Sequence, residues 1–338
     1  MPIVPLAEMV TGQEGDLFAL MTSKEELTTR EGKPYFKVGF RDARREVSFP
    51  IWDNSPWAAE CRDHWTPGVF YKLPAAYRET TYGPQLEIRK IREVIDSDKA
   101  DGFDPTMCQP SSRFEPQAML DELFDITRQH LQRPDLRELV ELLLNTYREQ
   151  LLTHPAARRH HHAYAGGYLE HVLGVTRSAV FLAGKYADYY PDLRPPLDKE
   201  LVIAGAMLHD IGKLRELEQQ PTDTFFTPAG ELIGHVLLGR DMVREAATQV
   251  KIDGETLLRL EHIVISHQRL PEWGAPKPPM TPEALIVHYA DDLDAKFHMM
   301  YAVLRDDKTS GPVTTAKNML QQKVYRGPDT SSSAGRGA

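Results

Sequence analysis

Two different periods divide the chain. In residues 35–40, Phe36, Val38 and Phe40 alternate with Tyr35, Lys37 and Gly39, and in residues 45–52, Val47, Phe49 and Ile51 alternate with Glu46, Ser48, Pro50 and Trp52. A period of two puts one row of side chains against a core and the other outward, so both segments predict strands. Residues 42–44 make a turn between them, 56–65 a short helix, and 69–80 and 82–91, with a Tyr82-Gly83-Pro84 turn, further strands. From residue 117 to 326 the spacing changes to three and four. Segments 118–131, 136–152, 167–190, 199–217, 231–250, 254–268 and 282–305 all read as amphipathic or buried helices.

These patterns predict a multidomain α and β protein. Several short strands and one short helix within residues 1–95 suit a small five-stranded barrel of the OB type. Residues 96–116 are rich in Asp, Pro and Ser and lack periodicity, as expected of a linker. The domain that follows, 117–326, is all-α, and the small-residue stretch 327–338 is expected to be a disordered tail. There is no internal repeat.

Composition changes this picture in three places. The net charge of -9 argues against a protein that coats nucleic acid. The charge is uneven, however: residues 1–95 carry 13 Lys and Arg against 14 Asp and Glu, and the remainder 27 against 35. A local basic face on the barrel is therefore open, and Tyr35, Lys37, Arg41, Trp52 and Arg89 would supply rings for bases and cations for phosphates of a single strand. The two cysteines, Cys61 and Cys108, lie in different regions and offer neither a disulfide framework nor a paired-thiolate zinc site. Neither a signal-peptide pattern nor an apolar run of membrane-spanning length is present, so no membrane partner and a cytoplasmic location are the default expectations.

Histidine is the residue that points to chemistry. Nine of the 13 fall between His154 and His267. Inside or beside the apolar stripes of the helical domain stand His171, His209 with Asp210, His235, His262, His267 and Asp291. Each buried polar group costs free energy unless a partner satisfies it, and a shared metal cluster satisfies them together. Neighbours on a helix point about 100° apart, so His209 and Asp210 reach one ion only over the ridge between them. A nitrogen and carboxylate set without thiolate suits Mn, Co, Fe or Zn. Two such ions activate water and clamp the oxygens of an in-line displacement at phosphorus, which implies phosphoester hydrolysis.

The run His171, His209-Asp210, Asp291 resembles the signature of the HD phosphohydrolase superfamily. The segments HHHAYAGGYLEH, GAMLHDIGKLREL, TPAGELIGHVLLG, EHIVISHQRLPEWGAPKPP and LIVHYADDLDAK resemble, in order and spacing, the YhaM family of 3′-to-5′ exoribonucleases, over about residues 10–326. That family joins an N-terminal OB-fold to a C-terminal HD domain. The resemblance makes His171, His209, Asp210 and Asp291 the primary ligands and gives His235 and His267 to a second ion. It sets Lys213 toward the phosphate, with His209, Asp210 and Lys213 as the catalytic group. His161 and His162 would touch substrate or support the ligands, and Asp294 would orient a neighbour. His262, about 140° around its helix from His267, is the second choice as ligand. Where the family reads Ser-His-His this chain has Ser266-His267-Gln268, and Gln268 can hydrogen-bond a water on a metal.

The expectation is a metal-dependent exoribonuclease that releases 5′-mononucleotides from the 3′ end of single-stranded RNA, with DNA as a further substrate. Two ions, Mn first, would be its cofactors, and self-association is left open. Its rivals are an HD-type phosphodiesterase acting on nucleotides or cyclic dinucleotides, and a non-catalytic OB-fold binding protein scaffolded by a degenerate HD domain.

Overall fold

Alternation becomes cross-strand pairing in the first part of the chain. The computed structural model describes residues 3–29, 31–80, 83–220, 222–307 and 309–328. Tyr82 of the expected turn and residues 329–338 of the expected tail lie outside them. The chain divides into two units, Met1–Ser111 with Gln219–Thr224, and Ser112–Glu218 with Phe225–Ala338.

The first unit contains β1 (Glu14–Thr28), β2 (Pro34–Arg41), β3 (Glu46–Trp52), α1 (Ala58–His64), β4 (Phe70–Thr80), β5 (Gly83–Ile88) and the short β6 (Arg92–Glu93). The antiparallel order is β3-β2-β1-β4-β5, β6 pairs with β4, and β5 returns against β3 to close an OB-type barrel. Phe36, Val38 and Phe40 face inward and pair with Ile51, Phe49 and Val47, all buried, as period two requires. Phe40, Trp65 and Tyr71 meet edge to face at the barrel centre. Helix α1 is held by Lys24, whose ammonium donates to the carbonyls of Cys61, Arg62 and Trp65 at 2.8–3.0 Å.

Residues 96–111 are ordered against this barrel. Asp98, 1% exposed, accepts both guanidinium nitrogens of Arg92 at 2.6 Å, and Phe103 packs on Phe18 and Phe70. Lys72 pairs with Asp98 and Asp101 as well, and polar composition does not reveal such contacts because they form only through tertiary structure.

The second unit is built from α2 (Pro116–His130), α3 (Pro134–Thr146), α4 (Arg148–Thr153), α5 (Gly167–Tyr189), α6 (Lys199–Leu208), α7 (Lys213–Glu216), the outer ends of a hairpin of β7 (Leu217–Gln219) and β8 (Thr224–Phe226) whose residues Gln219–Thr224 belong to the first unit, α8 (Pro228–Leu232), α9 (His235–Ala247), α10 (Gly254–Ser266) and α11 (Pro282–Asp306). Helix α6 runs through the middle, touching α2, α3, α5, α10 and α11, and every residue from Leu201 to Leu208 is buried. That explains its apolar sequence on all sides. No helix among the described residues is long and apolar enough to cross a membrane.

Three expected helices are broken. Segment 136–152 divides at Tyr147, 199–217 at residues 209–212, and 231–250 at Gly234, which has φ 79°. The second break depends on Gly212. A Cβ there would lie 2.0 Å from the His235 carbonyl oxygen and 2.4 Å from Gly239 N, so the turn presses backbone to backbone on α9. His154, at the end of α4, buttresses the same region: it is 3% exposed and its Nε2 meets the Lys213 carbonyl oxygen at 2.8 Å.

Gly212→Ala is expected to lower the free energy of unfolding by about 1–3 kcal/mol. Denaturant titration checks this against Gly184→Ala, where nothing lies within 4 Å of the new methyl; equal stability of the two would contradict the close approach. Burial lowers the pKa of His154 from 6.5 to about 4. Because the folded value is the lower one, its neutral form contributes stability above pH 6.5 that is lost as pH falls through 4. The loss approaches about 3 kcal/mol, and His154→Gln should flatten the decline in unfolding free energy over that window.

Candidate metal centre

The functional side chains stand mostly at helix ends. His209 caps the C-terminus of α6 and Asp210 lies in the turn that follows, so the pair does not occupy the middle of a continuous helix as the apolar spacing predicts. His267 caps α10 in the same way, and His235 begins α9. His171 lies in the second turn of α5 and Asp291 near the middle of α11. Ends of helices let adjacent residues leave the 100° spacing of helix interiors, and they bring five chain segments to one point.

Asp210 is that point. It is fully buried, and its two oxygens face different pairs of histidines. Oδ2 lies 3.4 Å from His171 Nε2 and 3.5 Å from His209 Nε2. Oδ1 lies 3.4 Å from His267 Nε2 and 3.6 Å from His235 Nε2. Asp291 Oδ1 joins the first side, 3.1 Å from His171 Nε2 and 3.7 Å from His209 Nε2. His171, His209 and Asp210 form one group able to hold an ion, and Asp210, His235 and His267 another.

The outward nitrogens explain why the inward ones are available. His209 Nδ1 meets the Ala206 carbonyl oxygen at 2.8 Å and His267 Nδ1 that of Val264 at 2.7 Å. His171 Nδ1 meets Asp294 Oδ2 at 2.8 Å and His235 Nδ1 meets Glu216 Oε1 at 3.0 Å. An acceptor at each Nδ1 holds the proton there and leaves the Nε2 lone pair pointing inward. Nε2 of His171, His209 and His235, and Oδ1 of Asp210, are buried with no hydrogen-bond partner. Orphaned buried acceptors converging on one carboxylate are what a divalent cation would satisfy, and the donor set is hard to borderline, suited to such an ion.

Electrostatics favour positive charge at the same place. Burial alone would raise the Asp210 carboxyl, yet Lys213 and His209 hold it well below the usual carboxylate range. Asp291 is likewise kept low, against its burial, by His171 and His209. Burial opposes a charged His171, but Asp210, Asp291 and Asp294 together raise its pKa well above the ordinary value.

The remaining expected residues divide. Lys213 is buried with its Nζ 2.5 Å from Asp210 Oδ2, so its charge is committed to that carboxylate. His161 Nε2 is buried without a partner, and its ring lies 5.0 Å from that of His171. His162 is locked in structure: with φ 49°, it meets Tyr164 Oη through Nδ1 and Asp294 Oδ2 through Nε2, and its ring stacks on His298. Asp294 thus accepts from His171 and His162 together. A cavity of about 430 Å³ adjoins this outer layer, lined in part by His162, Asp294 and His298. Gln268 donates its amide to His267 Nε2 at 3.1 Å, occupying the inward nitrogen that its neighbours keep free. His262 is not brought in, since its Nε2 accepts the Met280 N–H at 2.9 Å. Glu216, Tyr164, Glu170, His288 and His298 complete the outer layer, and spacing offers no signal for them, because each acts through tertiary contact alone.

On the barrel, Tyr35 and Trp52 pair across β2 and β3 with ring centroids 5.0 Å apart, Trp52 is 48% exposed, and Lys37 is exposed on β2. Arg41 and Arg89 are engaged otherwise, Arg41 with the Thr222 carbonyl oxygen at 3.3 Å and Arg89 with Glu14.

Comparison with known proteins identifies the family. The sequence profile of the HD domain matches residues 168–296, and one described as a putative helicase matches residues 112–216. The protein named 3′-5′ exoribonuclease YhaM from Bacillus licheniformis is 33% identical over 296 residues, which span 86% of this chain and 87% of that protein. Two structures of a replication protein A domain from Methanococcus maripaludis, the solution one titled as its second OB-fold domain, align with 28% of this chain. They are covered to 97% and 98%, at 12% and 9% identity with TM-scores of 0.22 and 0.23. Identity of this extent over nearly the full length, together with the HD match, shows that the chain belongs to the YhaM family of 3′-to-5′ exoribonucleases, hydrolases that act on phosphoester bonds.

Proposed function

We propose that this protein is a metal-dependent exoribonuclease that shortens single-stranded RNA from its 3′ end, releases 5′-mononucleotides and also accepts single-stranded DNA. The observation that carries the reading is the pair of opposed histidine couples on the two oxygens of Asp210, each imidazole keyed through Nδ1. His171, His209, Asp210 and Asp291 would hold one divalent ion, and Asp210, His235 and His267 a second, with manganese the first choice. Bound there, such ions supply an activated water and neutralise charge on the phosphoryl oxygens.

The chain's own groups do the rest. Lys213 steadies Asp210 and brings a positive charge to the site, which favours a phosphate whose negative charge grows during displacement. His161 is free to hydrogen-bond a phosphoryl or leaving oxygen through Nε2. Asp294 fixes the His171 ring from behind, and Glu216 does the same for His235. Tyr35, Lys37 and Trp52 on the barrel would hold the strand by stacking and charge. The two buried thiols, Cys61 and Cys108, fit action in the reducing cytoplasm.

The test is hydrolysis of end-labelled single-stranded RNA with Mn²⁺, run beside nucleotides and cyclic dinucleotides. A ladder that shortens from the 3′ end is expected. Replacing His209 and Asp210 together by Ala should reduce the rate at least about 10³-fold, while binding of the labelled strand persists; undiminished hydrolysis would sink the site assignment. Asp294→Asn, which keeps the shape but weakens the acceptor on His171, should lower metal affinity by about 10–100-fold, read by competition with a chromogenic chelator.

A further inference from the structure

Between His154 and Gly166 the chain makes a loop closed on itself by Ala156 N to the His162 carbonyl oxygen and Gly166 N to that of Thr153. At its tip is Arg158. Its guanidinium lies over the rings of Phe225 and Phe226, 5.8 and 5.9 Å from their centroids. Arg158 has no carboxylate or hydrogen-bond partner among the described residues, and its Nε is buried. The two rings remain 39% and 38% exposed.

Both segments are anchored to the same short helix beside Asp210. The loop is tied to α7 through His154 on the Lys213 carbonyl oxygen, and it carries His161 to the side of His171. The hairpin is tied to α7 through Thr227, whose hydroxyl donates to the Arg215 carbonyl oxygen and whose N–H donates to that of Glu216. A ring-supported guanidinium with no partner among the described residues thereby stands three residues before His161 in a loop tied to α7, the helix that follows Asp210 in a cluster that also includes Asp291, Asp294 and Glu216. A polyanion approaching so many carboxylates needs cationic contacts beyond any ions in the centre, and exposed Arg159 adjoins the first such contact.

We infer that Arg158, Phe225 and Phe226 form a subsite of the helical unit that grips the RNA strand next to the scissile bond: Arg158 takes the neighbouring, uncleaved phosphate and the phenylalanine pair stacks its base. The inference rests on the phosphodiesterase reading above and adds to it the contacts that select an oligonucleotide over an isolated phosphodiester. Arg is suited to the first task because its planar fork can bond a phosphate while its face stays on a ring. Phenylalanine is suited to the second because every base offers a π-face, so stacking is indifferent to sequence.

The experiment compares wild type, Arg158→Ala, Arg158→Lys and the paired Phe225→Leu and Phe226→Leu variant with Mn²⁺ on two substrates. One is a three-nucleotide oligoadenylate. The other is bis(p-nitrophenyl) phosphate, which has a diester to cleave but no neighbouring nucleotide. For Arg158→Ala and the leucine pair, KM for the trimer is expected to rise about tenfold, with kcat and the turnover of bis(p-nitrophenyl) phosphate unchanged within about twofold; Arg158→Lys should recover part of the loss. An unchanged KM for the trimer would overturn the inference while leaving the phosphodiesterase reading intact. Equal losses on both substrates would assign these residues to the support of the metal centre and overturn it as well. A wild type inert toward both substrates would overturn the phosphodiesterase reading, and this inference with it.

Discussion

A carboxylate with no exposed surface sits at the centre of the helical unit. Burying the charge of Asp210 costs several kcal/mol on the scale of about 20 for an unrelieved ion, and its neighbours are arranged to offset that cost. Lys213 meets one oxygen directly, and four imidazoles surround both. Removing the compensation would leave a charge with no access to water, so the identities of the surrounding groups are tied to this one residue. Asp210 and the same imidazoles form two groups able to hold a metal ion.

The backbone carries the consequences. For His209 and Asp210 to diverge, α6 has to end at Leu208; for the following turn to press on α9, position 212 has to lack a Cβ. For His235 to reach the same carboxylate, α9 has to begin at that residue, after a glycine with positive φ. An α6 that is apolar from Leu201 to Leu208 then becomes necessary, because a helix that delivers its end to the middle of a bundle is covered on every side.

How much of this was legible in the sequence differs by level. The alternation in residues 35–40 and 45–52 translates directly into the buried pairs Phe36 with Ile51 and Val38 with Phe49, since period two leaves a strand few alternatives. The long apolar helices announce a helical unit equally well, but not the short hairpin of β7 and β8 within residues 117–326, which the spacing reads as all-α. Their ends do not: Ile211 and Leu214 continue the spacing of Leu208, so residues 199–217 read as one helix, and only the approach of α9 to Gly212 reveals the stop. Convergence of His171, His209, His235, His267 and Asp291 can be suspected because apolar stripes make buried polar residues conspicuous. The outer acceptors cannot, because Glu216 lies in the same helical run as Asp210 and turns back on His235 only through the fold. Arg41 and Arg89 show another limit: the sequence offers them as cations for a nucleic-acid face and gives no sign of the protein partner each also meets in the fold.

The Nδ1 contacts have a further consequence. Two of the four are to carbonyl oxygens one turn back in the same helix, Ala206 for His209 and Val264 for His267, so these rings are oriented by the backbone that makes the helix end. The other two are to carboxylates that have their own fixed neighbours. Rotamer freedom at the centre is therefore removed when the domain folds, before any ion arrives. An ion of the kind proposed above would meet a rigid chelator rather than a flexible one, with a small entropic demand at most of these side chains and an amide of Gln268 to displace from His267.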